Sequence, residues 1–387
     1  MKKLNEATLK VGDIILTTTP AAVSKAIRVA TRSDISHAMI YVQDHSVIDA
    51  TGEGVQARNT QRLFFEDDCS AYALRLRAGL TGEQARAICT FVRSQIGTQY
   101  SKKEAVRTSL GGAQEWTRKQ FCSRLVAQAY ASAGIKLVDD PNFCSPADLK
   151  SSPLLLDVKD ATEPVSAEQA AEWEGREDIP QHMRDAINAV LDGARIKNKN
   201  IQNFADLNRH LINHPEDDEF VCALLATSGY LTLWKIEKDK NPWQYDLDLI
   251  RAFASGEPRI EEYCWSVLAD EEASPNRYIV NRGGYVKLST LFGRRAFQLL
   301  MEFYDHLSTL HRRRVDVAIK WLEESGLLTP APERVLRPHT EEWFAALEVW
   351  NPKQAAMTRM VIASAGAPDV CSICGDDPAR DYRGGSG

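Results

Sequence analysis

Hydrophobic positions in the first third of the chain fall into short β-branched runs separated by polar turns. Asp13-Ile14-Ile15-Leu16-Thr17-Thr18-Thr19 ends at Pro20, and Ala38-Met39-Ile40-Tyr41-Val42 is joined to Ser46-Val47-Ile48-Asp49-Ala50 through Gln43-Asp44-His45. The second and third runs read as a hairpin. Ala71-Tyr72-Ala73-Leu74-Arg75-Leu76-Arg77 alternates as a half-buried strand does, so an antiparallel sheet is expected. The period then changes. Thr81 and Gln84 make a capping box, and Ala85, Ile88, Cys89, Val92 and Ile96 recur at helical spacing up to Gly97. A second helix is expected from Phe121 to Ala133, stopped by Gly134.

From about Asp157 to Asp178 the chain turns acidic, which marks a change of domain near residue 160. Beyond it the periodicity predicts helices at 181–195, 203–213, 218–235, 245–255, 259–270, 290–324 and 340–350, with breaks at Asn241-Pro242, Ser274-Pro275-Asn276 and Pro330-Ala331-Pro332. The expected organisation is a mixed strand and helix domain at 1–158, an acidic linker at 159–178, a helical domain at 179–370 and a flexible tail at 371–387. The fold class expected is therefore α+β, a small antiparallel sheet with packed helices followed by a mainly α-helical domain. Tyr230, Trp234, Trp243, Tyr245, Tyr263 and Trp265 build the core of that helical domain or face a protein partner, and periodicity does not separate the two.

Composition narrows the class. In 387 residues, 44% are hydrophobic and none of the apolar runs approaches the ~20 residues of a membrane span. The opening Met1-Lys2-Lys3-Leu4-Asn5-Glu6 lacks the apolar core of a secretory signal, so a cytoplasmic chain is expected. Eight cysteines are too sparse for a disulfide scaffold, and most should be reduced thiols. Residues 1–155 carry 20 Lys and Arg against 15 Asp and Glu, and the remainder 27 against 38. The basic half lacks the interleaved basic and aromatic stripe of nucleic-acid modules, so no nucleic-acid partner is expected.

Candidate chemistry begins at Cys122, near the first turn of a predicted helix and flanked by Arg118, Lys119 and Arg124. Unpaired amide N–H groups and nearby cations stabilise a thiolate, which makes a nucleophile; the competing reading is a buried cysteine packed beside Leu125 and Val126. His37 stands at the mouth of one hairpin strand and Asp49 late on the strand that returns beside it. That hairpin brings base and carboxylate together, and with Cys122 they suffice for a triad in which imidazole moves the thiol proton and carboxylate fixes its tautomer.

Several segments carry a resemblance: Val11-Gly12-Asp13-Ile14-Ile15-Leu16, Ser36-His37-Ala38-Met39-Ile40-Tyr41-Val42, Val47-Ile48-Asp49-Ala50 ahead of Gly54-Val55, Ile96-Gly97-Thr98-Gln99-Tyr100, Phe121-Cys122-Ser123-Arg124-Leu125-Val126 and Ser145-Pro146-Ala147-Asp148-Leu149. Residues of about 10–155 resemble the YiiX-like permuted papain amidases, circularly permuted relatives of the NlpC cell-wall peptidases. The resemblance implies Cys122 as nucleophile, His37 as base and Asp49 as orienter. Many relatives carry Glu at the last position, so Glu53 stands in reserve; Tyr100 resembles a pocket-lining tyrosine, and a core aromatic accounts for it as well. An amide- or acyl-containing substrate is implied, handled by a cysteine amidase or peptidase, with a lipid-directed acyltransferase or thioesterase as the enzymatic alternative. A non-catalytic interaction protein on the same scaffold is the alternative of a different class.

No cofactor or metal is assigned. Cys371-Ser372-Ile373-Cys374 is one half of a zinc knuckle without a second half in sequence. His45 falls in a polar turn, His210 and His214 are expected exposed at a helix end ahead of Pro215, and His311-Arg312-Arg313-Arg314 reads as a solvated face or an interdomain contact.

Overall fold

The computed structural model describes residues 1–18, 33–43, 45–101, 104–105, 108, 117–256, 259–273, 277–328, 340–350, 352, 355–356 and 359. Two compact units divide the chain, Met1–Asn213 and His214–Gly387. The division falls about fifty residues later than the boundary expected near residue 160. The tail with Cys371 and Cys374 lies outside the described residues.

The first unit runs β1 (Lys2–Leu4), β2 (Ile14–Thr17), β3 (His37–Gln43), β4 (Ser46–Thr51), β5 (Gly54–Asn59), β6 (Phe64–Phe65), β7 (Ala71–Leu76), α1 (Gly82–Ser94), α2 (Cys122–Ser132), α3 (Pro146–Lys150), β8 (Leu155–Asp157), β9 (Thr162–Pro164), α4 (Ala167–Gly175), α5 (Ile179–Arg195) and α6 (Phe204–Asn213). A six-stranded antiparallel sheet has the order β5-β4-β3-β2-β7-β8, and a three-stranded sheet the order β6-β1-β9.

Alternation along the strands assigns each side chain a core. Ile14, Leu16, Ala38, Ile40, Val42, Ile48, Ala50 and Leu74 pack with Leu125, Val126, Ala129 and Tyr130 of α2. The intervening Ile15, Met39, Tyr41, Val47 and Ala73 pack with Leu4, Leu9 and Ala161 in a second cluster. With both faces covered, the central strands are buried almost throughout, so their sequences read as continuous apolar runs. The capping box of Thr81 and Gln84 opens α1, and Gly134, at φ +77°, follows α2 in the left-handed conformation that glycine adopts freely.

The acidic segment at 159–178 is no linker. Its β9 pairs with β1, α4 is opened by a capping box of Ser166 and Gln169, and Ala161, Val165 and Ala170 are buried. The exposed faces carry the acids that gave the segment its linker-like composition. Helices α5 and α6, expected in the helical domain, belong to the first unit. His210 on α6 is buried against expectation, whereas His214 is exposed and hydrogen-bonded to Glu216.

The second unit is helical: α7 (Asp218–Thr227), α8 (Trp234–Lys240), α9 (Leu247–Ala254), α10 (Ile260–Ala273), α11 (Arg277–Phe292), α12 (Arg295–Glu324) and α13 (Glu341–Trp350). The helices expected at 218–235 and 290–324 are each broken at a glycine, Gly229 at φ +81° and Gly293 at φ +63°. Cys264, Ile260, Val267, Val317 and Leu322 form one core with Trp243 and Tyr263 against it, and Tyr285 stacks on Tyr304 at 5.6 Å. Much of the aromatic set therefore lies inside this unit.

At the start of β5, Gly54 has φ +95°, and a Cβ there would lie 2.7 Å from the Thr98 carbonyl oxygen. The backbone pairs closely at this point, Val55 N–H donating to Thr98 O and Gly97 N–H to Val55 O, both at 2.9 Å. Gly54→Ala is expected to cost more than about 2 kcal/mol in urea unfolding, through both strain and clash. Gly79→Ala is the control: φ is +73° with open space around it, so only strain of about 1 kcal/mol remains.

Candidate active site

Phe121 is extended, and its side chain caps nothing, so the amide groups of the first turn of α2 stay open next to Cys122, the first helical residue. Cys122 is 3% exposed. His37 opens β3, its side chain 15% exposed, and Asp49 on β4 is almost completely buried. The imidazole Nε2 hydrogen-bonds Asp49 Oδ2 at 2.9 Å, and Cys122 is close enough to the same ring to raise its proton affinity. With Nε2 committed to the carboxylate, Nδ1 is the nitrogen left for sulfur.

Burial alone would lower the proton affinity of His37. The Asp49 hydrogen bond, then the hydrogen bond and charge of Cys122, more than offset it and raise the pKa to about 10. Asp49 is held below the ordinary carboxylate range: burial opposes ionisation, but the bond and charge of His37 and the charge of Arg58 prevail. Stability from the raised imidazole is complete below its ordinary value of 6.5 and lost as pH rises through about 10. Stability from Asp49 is present above 3.8 and lost as pH falls below it. Between pH 6.5 and 10.5 the thermal midpoint of the wild type is expected to drop further than that of His37→Ala, measured by circular dichroism.

Glu53, the reserve acid, is 55% exposed and receives Arg58 at 3.1 Å; the carboxylate on His37 is that of Asp49. Two of the three cations expected beside the thiol are committed elsewhere. Arg118 pairs with Asp206. Arg124 is buried, paired with Glu104 at 2.9 Å, and donates to the carbonyls of Lys119 and Asn142, both at 2.7 Å. The positive group at the sulfur is the imidazole, and Arg124 frames the start of the helix.

Tyr100 is brought alongside by a parallel bridge to Gln120, with Gln120 N–H donating to Gln99 O at 2.9 Å and Ser101 N–H to Gln120 O at 2.8 Å. Burial, then the charges of Cys122 and Asp49, push its phenol up, which keeps it protonated. Cys144 and Cys89 are different in kind. Burial raises both thiols, and Cys144 donates to Ser123 O while Ser123 Oγ donates to Cys144 O at 2.7 Å, a structural pair. Exposed His45 bonds Glu6. Among the described residues, no three or more His, Cys, Asp or Glu side chains gather into a group able to hold a metal ion.

Two features escape the sequence. Arg58 on β5 reaches Asp49, and the stretch from α5 to α6 braces the loops beside Cys122: Arg195 donates to Gly97 O at 2.7 Å, Gln202 Oε1 accepts from Gln99 N–H at 3.2 Å, and Asp206 holds Arg118. Counting the two-residue turn at Gly52-Glu53 would have found the first, since Asp49 then faces Gln56 and Arg58 lies diagonally across from it. The second rests on contacts a hundred residues apart and has no local signature.

A cysteine at a helix start facing a histidine from an antiparallel sheet, with the histidine strand earlier in the chain, defines a permuted papain-like fold. Residues 8–169 match the family model described as permuted papain-like amidase enzyme, YaeF/YiiX, C92 family. A curated relative, the probable lipoprotein peptidase YaeF of Escherichia coli (strain K12), is 26% identical over 185 residues, which is 38% of this chain and 65% of that one. The alignment thus spans less than two thirds of the relative's length. The crystal structure of Escherichia coli O157:H7 yiiX, described as a metalloprotein, is similar at 22% identity and a TM-score of 0.33, over 39% of this chain and 97% of that one. No helix among the described residues is long and apolar enough to cross a membrane.

Proposed function

We propose that this protein is a cysteine hydrolase that cleaves an amide through an acyl-enzyme on Cys122, with His37 as base and acid and Asp49 as its orienter. The observation that carries the reading is the 2.9 Å hydrogen bond between His37 Nε2 and Asp49 Oδ2, with Cys122 at the start of α2 acting on the same imidazole. The family match supports the amidase class, and its residues 8–169 contain all three groups. In acylation the Cys122 sulfur bonds the carbonyl carbon, the C–N bond breaks and His37 gives its proton to the leaving amine. In deacylation His37 takes a proton from water, the hydroxyl bonds the acyl carbon, and the C–S bond breaks to return the thiolate. The amides at the start of α2, left uncapped by Phe121, are the donors this chain offers to the charge gathering on the carbonyl oxygen, a contribution typically of about 10²–10³ in rate.

A panel of peptide amides, acyl esters and thioesters, followed by intact-mass spectrometry, tests this. A transient acyl adduct on Cys122, absent in Cys122→Ser and His37→Ala, is the expected result. Adduct formation at Cys122 no faster than at Cys69 would leave a non-catalytic scaffold.

A further inference from the structure

Resting on that reading, we infer that Arg58 is a positioning residue that keeps Asp49 ionised and aimed at His37 throughout the reaction, including the stage at which His37 has lost its proton. Arg58 Nε donates to Asp49 Oδ1 at 2.9 Å and Oδ2 at 3.1 Å, so Oδ2 serves both the guanidinium and the imidazole. Its other end is fixed by Thr51 Oγ1 at 2.8 Å and Glu53 Oε2 at 3.1 Å, across the β4–β5 hairpin.

The need for a second cation follows from the chemistry. When imidazolium gives its proton to the leaving amine, the charge it lent Asp49 disappears, and a buried carboxylate without a counter-charge takes up a proton or turns away. Arginine does not deprotonate, so it holds the carboxylate in both halves of the cycle. The ionisable groups around Asp49 are His37 from β3, Arg58 from β5, Cys122 from α2 and Tyr100 beside it, with Glu53 reaching Arg58 from the turn. Arg58 is the permanent cation of this group.

The test is the pH dependence of Cys122 carboxamidomethylation by iodoacetamide in the full chain, followed by peptide mass spectrometry. In Arg58→Gln the Asp49 carboxylate loses its contacting cation and takes up a proton more readily, which deprives His37 of the charge that holds it as imidazolium beside the sulfur; the acid limb is therefore expected to move up and labelling on it to slow about tenfold. Arg58→Lys recovers most of the shift, because charge returns without the fork. Glu53→Gln, at the exposed turn, frees Arg58 from its second carboxylate and moves the limb slightly down. A folded Arg58→Gln whose limb stays in place overturns the inference. Should Arg58→Gln unfold, a limb in Glu53→Gln that stays still or moves up does so. Wild-type Cys122 labelled no faster than Cys69 refutes the catalytic reading itself, and Arg58's role with it.

Discussion

His37→Ala is expected to slow acylation of Cys122 by roughly 10⁴-fold, the scale of losing a base and an acid that act on one centre. The ring contacts both the thiol and Asp49, so its removal takes away proton transfer, the sulfur's counter-ion and the orienting carboxylate's purpose together. For the same reason the double variant Cys122→Ser/His37→Ala should turn over no more slowly than Cys122→Ser alone. Groups that act as a unit are strongly non-additive. Single-turnover acylation of a substrate from the panel, with folding checked by circular dichroism, measures both. A His37→Ala enzyme within tenfold of wild type would remove the base.

Arg124→Met is expected to be among the most destabilising substitutions in the first unit, at about 3–5 kcal/mol in urea unfolding. Its side chain is 1% exposed, pairs with buried Glu104, binds two backbone carbonyls and lies 4.4 Å from the Phe121 ring centre. Deleting the cation leaves a buried carboxylate, which Thr117 contacts through its N–H at 2.8 Å and its hydroxyl at 2.9 Å. Adding Glu104→Gln should recover part of the loss, since the orphaned charge is then gone. The double variant isolates the electrostatic share from the packing share. Because the carbonyls bound by Arg124 flank the start of α2, Cys122 labelling should slow as well.

The site was legible where its parts are local. The hairpin of β3 and β4 follows from two apolar runs and a polar turn, and that alone sets His37 near Asp49. The start of α2 follows from periodicity, and with it the uncapped amides beside Cys122. What periodicity cannot give is partner choice. Arg118, Lys119 and Arg124 look equally available in sequence, but the fold commits the first to Asp206 and the third to Glu104. Strands of two or three residues, such as β1, β6, β8 and β9, are too short to show a period and exist because distant segments pair. That is why an acidic stretch containing a strand and a helix resembled a linker. The helix breaks at Gly229 and Gly293 were signalled by glycine but masked by apolar positions continuing on either side.

The bracing of the loops around Cys122 changes where an autonomous enzyme module ends. A fragment stopped at residue 169, the limit of the family match, would retain Cys122, His37 and Asp49 but lose Arg195, Gln202 and Asp206. Leu191, which a Cβ on Gly97 would approach to 2.1 Å, would vanish too, laying bare the turn that leads to Tyr100. Stopping at Asn213 preserves every one of these supports, so excision at that residue is the sensible starting point for crystallisation or inhibitor screening.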